Sequence, residues 1–131
     1  MSREIAMKFA RNVFGLAGLY GLATVLPLFF MEAKVGIDTP PPITHPEFYY
    51  GFAGVALAWQ FAFFAIAREP VRLRPIMPFG AFEKIAFGVA TIVLYLQGRL
   101  PAQMAGFGVV DLVFATLFLA AYARTPRRWS I

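Results

Sequence analysis

Three ionisable side chains interrupt otherwise apolar runs of this sequence: Glu83 and Lys84, adjacent in one run, and Asp111 in the next. A charge at the centre of a membrane-spanning helix costs about 2.5–3.5 kcal/mol on insertion scales, so such groups face a bundle interior and find partners. At a rise of about 1.5 Å per residue, Asp111 lies roughly 14 Å from one end of its run and Lys84 roughly 8 Å from the opposite boundary. In a hydrocarbon core about 30 Å thick this leaves a vertical gap of roughly 8 Å, most of which a lysine side chain can close. Gln60 falls roughly 10 Å above the boundary nearest Lys84 and brings an amide to the same depth. Gln60, Glu83, Lys84 and Asp111 therefore form one expected intramembrane polar cluster. In one use of it, Lys84 or Gln60 pairs with Asp111 while Glu83 reaches Arg72 or Arg74, and the cluster fixes which helices are neighbours. In the other, Lys84 snorkels to the membrane surface and Asp111 takes a proton or a ligand's polar group during transport or catalysis.

Other chemistry lacks parts. The chain has no cysteine, so disulfides, thiolate metal sites and iron–sulfur clusters are excluded. Its one histidine, His45, sits between Thr44 and Pro46, so no pair of imidazoles exists for haem or a histidine-rich metal site. The only serines are Ser2 and Ser130, which removes the parts of a nucleophilic triad. No catalytic residues, metal ligands or evident cofactor are expected.

The polar cluster must be carried by membrane helices. Hydrophobic residues make up 60% of the 131 positions and charged residues only 15%, against about 25% in soluble domains. The mean hydropathy is +0.66. Four apolar runs are long enough to span, at about residues 9–31, 48–67, 79–97 and 102–123, and no room remains for a second domain. The expectation is an all-α integral membrane four-helix bundle occupying residues 1–131. Between the first two runs, Pro40, Pro41, Pro42 and Pro46 with Gly36 mark residues 32–47 as a long loop without regular helix.

Lysine and arginine distribute unequally between the two sides. Nine of them, Arg3, Lys8, Arg11, Arg68, Arg72, Arg74, Arg124, Arg127 and Arg128, flank the runs on the side of the termini, and two, Lys34 and Arg99, on the other. The positive-inside rule then places both termini in the cytoplasm and the Pro-rich loop in the periplasm. Scattered in short flanks instead of one stripe, these cations give no reason to expect nucleic acid. Tyr49, Tyr50 and Trp129 fall where amphipathic rings anchor helix ends.

In lipid, helices associate by close packing and polar contacts, so small residues mark their contact faces. Gly15, Gly18 and Gly21 in the first run, Gly51 and Gly54 in the second, and Gly106 and Gly108 in the fourth are the expected packing positions. Either bundle packing or a homodimer seam would use them. Pro27 removes a backbone donor within the first run and is expected to kink it. The 15 phenylalanines could fill the bundle, meet lipid, or line an apolar cavity for a quinone, carotenoid or lipid.

The segment Gly15-Leu-Ala-Gly18-Leu-Tyr20-Gly21, the pair Tyr50-Gly51, and Glu83 followed by Gly88 resemble the DoxX-like group of small bacterial membrane proteins. The resemblance implies a four-helix bundle in the bacterial inner membrane, in some relatives associated with quinone-linked oxidoreductases. A thiol-based redox role could not carry over to a chain without cysteine. The leading functional expectation is a non-enzymatic accessory or scaffolding subunit of a membrane assembly, with lipid, other membrane subunits or a second copy as partners. The alternatives are a proton-coupled carrier of small hydrophobic or cationic molecules using Asp111 or Glu83, and a membrane subunit of a quinone-linked oxidoreductase. The absence of native cysteine makes topology directly measurable. In Thr44→Cys, the thiol should react with a membrane-impermeant maleimide in intact spheroplasts, whereas that of Ser2→Cys should react only after permeabilisation; the reverse pattern would invert the orientation.

Overall fold

Ser2 starts the first helix by accepting a hydrogen bond at Oγ from the Ile5 amide at 3.2 Å, a serine cap on an otherwise unsatisfied helix terminus. From there the computed structural model, which describes residues 2–127, is all helix and connection, with no strand among the described residues. The helices are α1 (Arg3–Val25), α2 (Glu32–Asp38), α3 (Pro46–Arg68), α4 (Met77–Leu96) and α5 (Ala102–Arg124). Four segments, Arg3–Phe30, Pro46–Arg68, Arg74–Leu96 and Ala102–Arg124, are long and apolar enough to cross a membrane. The protein is thus a multi-pass, four-helix membrane bundle. Arg128, Trp129 and Ser130 lie outside the described residues.

Three expectations change. The first helix begins six residues before Phe9, because the capped segment from Arg3 joins it without a break. Pro27 does not kink a continuing α-helix. The α-helix ends at Val25 and the chain tightens into a 3-10 segment, Leu26–Phe30, with Pro27 in its first turn. Without an amide hydrogen at Pro27 the α-helical ladder cannot continue, and the tighter turn takes its place. The stretch 32–47 is not wholly irregular either, since α2 fills its first half. Every proline there follows Thr39, and an exposed Lys34–Asp38 ion pair of 2.7 Å spans one turn of α2. Gly36 is needed where α2 meets the proline run, as an added Cβ would stand 3.1 Å from the Pro42 backbone.

The helices form two antiparallel hairpins. α1 packs along α3, α4 along α5, and the hairpins meet through α1 and α5, whereas α3 and α4 scarcely approach one another. The start of α1 and the end of α5 lie at the same end of the bundle. At the terminal half, Phe14 of α1, Phe63 of α3 and Phe118 of α5 are fully buried. Phe14 stacks on Phe118 with centroids 4.1 Å apart, and Phe63 meets Phe118 edge-on at 4.9 Å. α4 reaches this knot through Gly80, where a Cβ would lie 3.0 Å from the Phe63 ring. Ala10, Ala17, Ile66, Met77, Ala81 and Ala121 surround the rings. The other buried cluster, Val25, Ala53 and Ala56, belongs to α1 and α3 alone.

The glycines divide into two sets. Gly18 lies under the Phe64 ring and Gly21 under Gln60, so both serve the α1–α3 contact. Gly108 meets Gly88 and Thr91 where α4 crosses α5; a Cβ at Gly88 would stand 2.8 Å from the Gly108 carbonyl oxygen. Gly15, Gly51, Gly54 and Gly106 have nothing within 4 Å of a built Cβ, so they do not pack within the chain as expected. Gly88→Val should therefore cost about 1–3 kcal/mol by overpacking, read as a lower thermal midpoint in detergent, while Gly15→Val leaves the midpoint nearly unchanged.

Candidate intramembrane polar site

Lys84 sits two turns into α4, on the same face as Gly80, Ala81 and Gly88, which turns it into the bundle. Only 4% of its side chain is exposed, and its Nζ lies 3.7 Å from Asp111 Oδ1 and 3.9 Å from Glu83 Oε2. It does not snorkel to the membrane surface. Asp111 enters from the middle of α5, where Gly108 one turn earlier and Ala115 one turn later let α4 approach closely. Its side chain is 11% exposed, and that of Glu83 20%. The three groups thus make one cluster in which a single ammonium meets Asp111 across the α4–α5 contact and Glu83 on its own helix.

Aromatic rings close the other sides. Lys84 Nζ lies 5.2 Å from the centre of the Phe63 ring and 5.8 Å from that of Phe114, within the range where a cation is attracted to a ring face. Phe114 in turn meets Tyr20 of α1 at 5.6 Å. Every long helix thereby contributes to the surroundings of one lysine. Phe63 and Phe114 were absent from the residues expected by sequence. Phe114 could have been found, because it follows Asp111 by three positions and shares its helix face; Phe63, on a helix that hardly meets α4, carried no such signal.

The other expected members stand apart. Gln60 is almost fully buried, but its Nε2 donates to the Ala56 carbonyl at 2.7 Å and its amide packs on Gly21. Among the described residues it makes no hydrogen bond to Lys84 or Asp111, and its Oε1 is buried without a hydrogen-bond partner. The rise-based depth was shared, but the side chain leaves α3 toward α1. Glu83 does not reach the arginines. Arg72 pairs with Glu69 at 3.2 Å, and Arg74 donates from Nε to the carbonyls of Tyr122 at 3.0 Å and Thr125 at 2.8 Å. Both arginines are taken up near the terminal end, while Glu83 points along α4 to Lys84.

Hydroxyl groups in the spans bond locally. Thr24, Thr91 and Thr116 each donate to a carbonyl one turn back in their own helices. Tyr49 differs: its hydroxyl donates to the Leu28 carbonyl at 2.6 Å, tying the start of α3 to the 3-10 segment. His45 remains exposed beside Glu47 at 3.3 Å. No group of three or more metal-ligating side chains occurs among the described residues.

Chemically, the arrangement is an interhelical charge contact with one carboxylate more than the ammonium can neutralise. Comparison with protein-family models, curated proteins and solved structures finds no match to this chain. The contact has a measurable energetic signature. Lys84→Met leaves two desolvated carboxylates and should destabilise the protein by about 3–5 kcal/mol. Adding Asp111→Asn and Glu83→Gln to Lys84→Met should restore most of that loss in thermal unfolding, and purely additive losses would mean that the groups do not interact.

Proposed function

We propose that this chain is a non-enzymatic accessory or scaffolding subunit of a membrane assembly, seated in the bacterial inner membrane with both termini in the cytoplasm. The observation that carries this reading is the outward face of α3. Gly51, Gly54, Ala58 and Ala65 are all exposed and lie within one stripe opposite the buried Gln60. A Cβ at Gly51 or Gly54 would meet nothing within 4 Å. Val55 and Phe61 are exposed on either side of the stripe, and exposed faces of the other spans carry Leu16, Leu19, Phe82, Val89, Val109 and Val113. A smooth glycine–alanine stripe gives lipid little to hold but lets another helix backbone approach closely, which is how membrane helices associate.

The Lys84–Asp111 contact supports the same reading, since that pair of charges holds α4 against α5. The excess of cations at the terminal end supports the orientation. A partner helix from a second copy or from another subunit would use the α3 stripe in the same way, and quinone or lipid would enter at the boundary between the chains. The test replaces Gly54 and Ala58 with leucine and isolates the protein in mild detergent. The expected result is loss of the copurifying partner with an unchanged thermal midpoint; recovery of the unsubstituted protein only as a free monomer would reject the reading.

One observation favours a second reading, a proton-coupled carrier. Glu83 Oε2 is buried without a hydrogen bond, beside an ammonium already shared with Asp111. Such a group has room for a proton. This reading expects Asp111→Asn to abolish pH-dependent uptake of a hydrophobic cation into vesicles, and unchanged uptake would remove Asp111 from that role.

A further inference from the structure

All four spans end on arginine at the same end of the bundle: Arg3, Arg68, Arg74 and Arg124. Their opposite limits are Phe30, Pro46, Leu96 and Ala102. The aromatic knot gives a common level from which to measure. Arg68 follows Phe63 by five residues, Arg124 follows Phe118 by six, Arg74 precedes Gly80 by six and Lys8 precedes Phe14 by six. At helical rise these four cations lie about 8–10 Å from the knot on the terminal side. Arg124 confirms the level directly, since its guanidinium lies 5.1 Å from the Phe9 ring of α1. Arg3 extends beyond this plane. The acids nearby are Glu4 and Glu69, and Glu69 is taken by Arg72. No carboxylate among the described residues pairs with Lys8, Arg68, Arg74 or Arg124.

Arg74 is unlike the rest of this ring. Its Nε donates to two carbonyls at the end of α5, and its guanidinium carbon lies 3.9 Å from the centre of the Tyr122 ring. One edge and one face of the fork are therefore fixed, while neither terminal nitrogen makes a hydrogen bond among the described residues. An arginine already immobilised loses little entropy on binding, and a planar fork matches two phosphate oxygens.

We infer that this ring is a binding surface for anionic phospholipid in the leaflet at the terminal end, with Arg74 as its fixed phosphate receptor and Lys8, Arg68 and Arg124 as its surrounding cations. The depth fits, because each arginine closes a span and so lies where headgroups begin. The charge fits as well, because a zwitterionic headgroup returns one positive charge for each phosphate it offers. The inference is independent of the subunit reading, since it requires no partner chain.

The test is native mass spectrometry of the full chain in detergent with equimolar phosphatidylglycerol and phosphatidylcholine. Phosphatidylglycerol should be retained preferentially, and the preference should fall about fivefold for each cation removed in Lys8→Gln, Arg68→Gln and Arg124→Gln, which leave the Arg74 hydrogen bonds intact. Arg74→Lys should weaken retention further, with the thermal midpoint measured alongside to separate binding from folding. Equal retention of the two lipids, or an undiminished preference in the triple variant, would overturn the inference. Displacement of phosphatidylglycerol by millimolar inorganic phosphate would also overturn it, by marking a site for free phosphate.

Discussion

Hydrocarbon cannot hydrogen-bond, and that single property governs where most polar groups of the spans are placed. The backbone meets it by being helical across all four spans. Thr24, Thr91 and Thr116 meet it by folding their hydroxyls back onto their own helices. Tyr49 and Arg74 supply donors to carbonyls near the ends of helical segments, at Leu28 on one side of the bundle and at Tyr122 and Thr125 on the other. Lys84 and Asp111 meet it by pairing across two helices, with Glu83 beside the same ammonium. Each of the three would be costly alone in hydrocarbon, and the ion pairs offset part of that cost.

The packing follows from the same constraint by a different route. With no hydrophobic driving force between helices in lipid, contact depends on how closely surfaces fit. Two solutions appear in one small bundle. At the terminal half, Phe14, Phe63 and Phe118 fill a space wide enough for rings and let α3 communicate with α4 through a side chain. At the α4–α5 crossing, Gly88 and Gly108 remove side chains altogether and bring the backbones together. The close crossing is also what places Asp111, one turn from Gly108, within reach of Lys84 on the neighbouring helix.

Sequence reading recovers what depends on length, hydropathy and charge: four spans, their antiparallel order and the depth at which Lys84 and Asp111 can meet. It goes astray where the outcome depends on rotation about a helix axis. Gln60 has the expected depth but faces α1, and Gly51 and Gly54 have the expected composition but face outward. Depth is a property of position along one helix, whereas facing direction is set by neighbours that a single run of residues does not contain. Pro27 and α2 show a second limit. Proline marks where a donor is missing, but whether the chain bends, tightens or stops there is decided by the residues on either side.

The turn between α4 and α5 spans only residues 97–101, with Gly98 at a φ of 73° allowing the chain to reverse. Two helices joined so tightly lie side by side along their length. Glu83, Lys84 and Asp111 all belong to that hairpin, so its ion pairs need no charged group from α1 or α3. The second half of the chain thus carries the counter-ion for its own buried acids, while the two hairpins meet chiefly through stacked and edge-on rings.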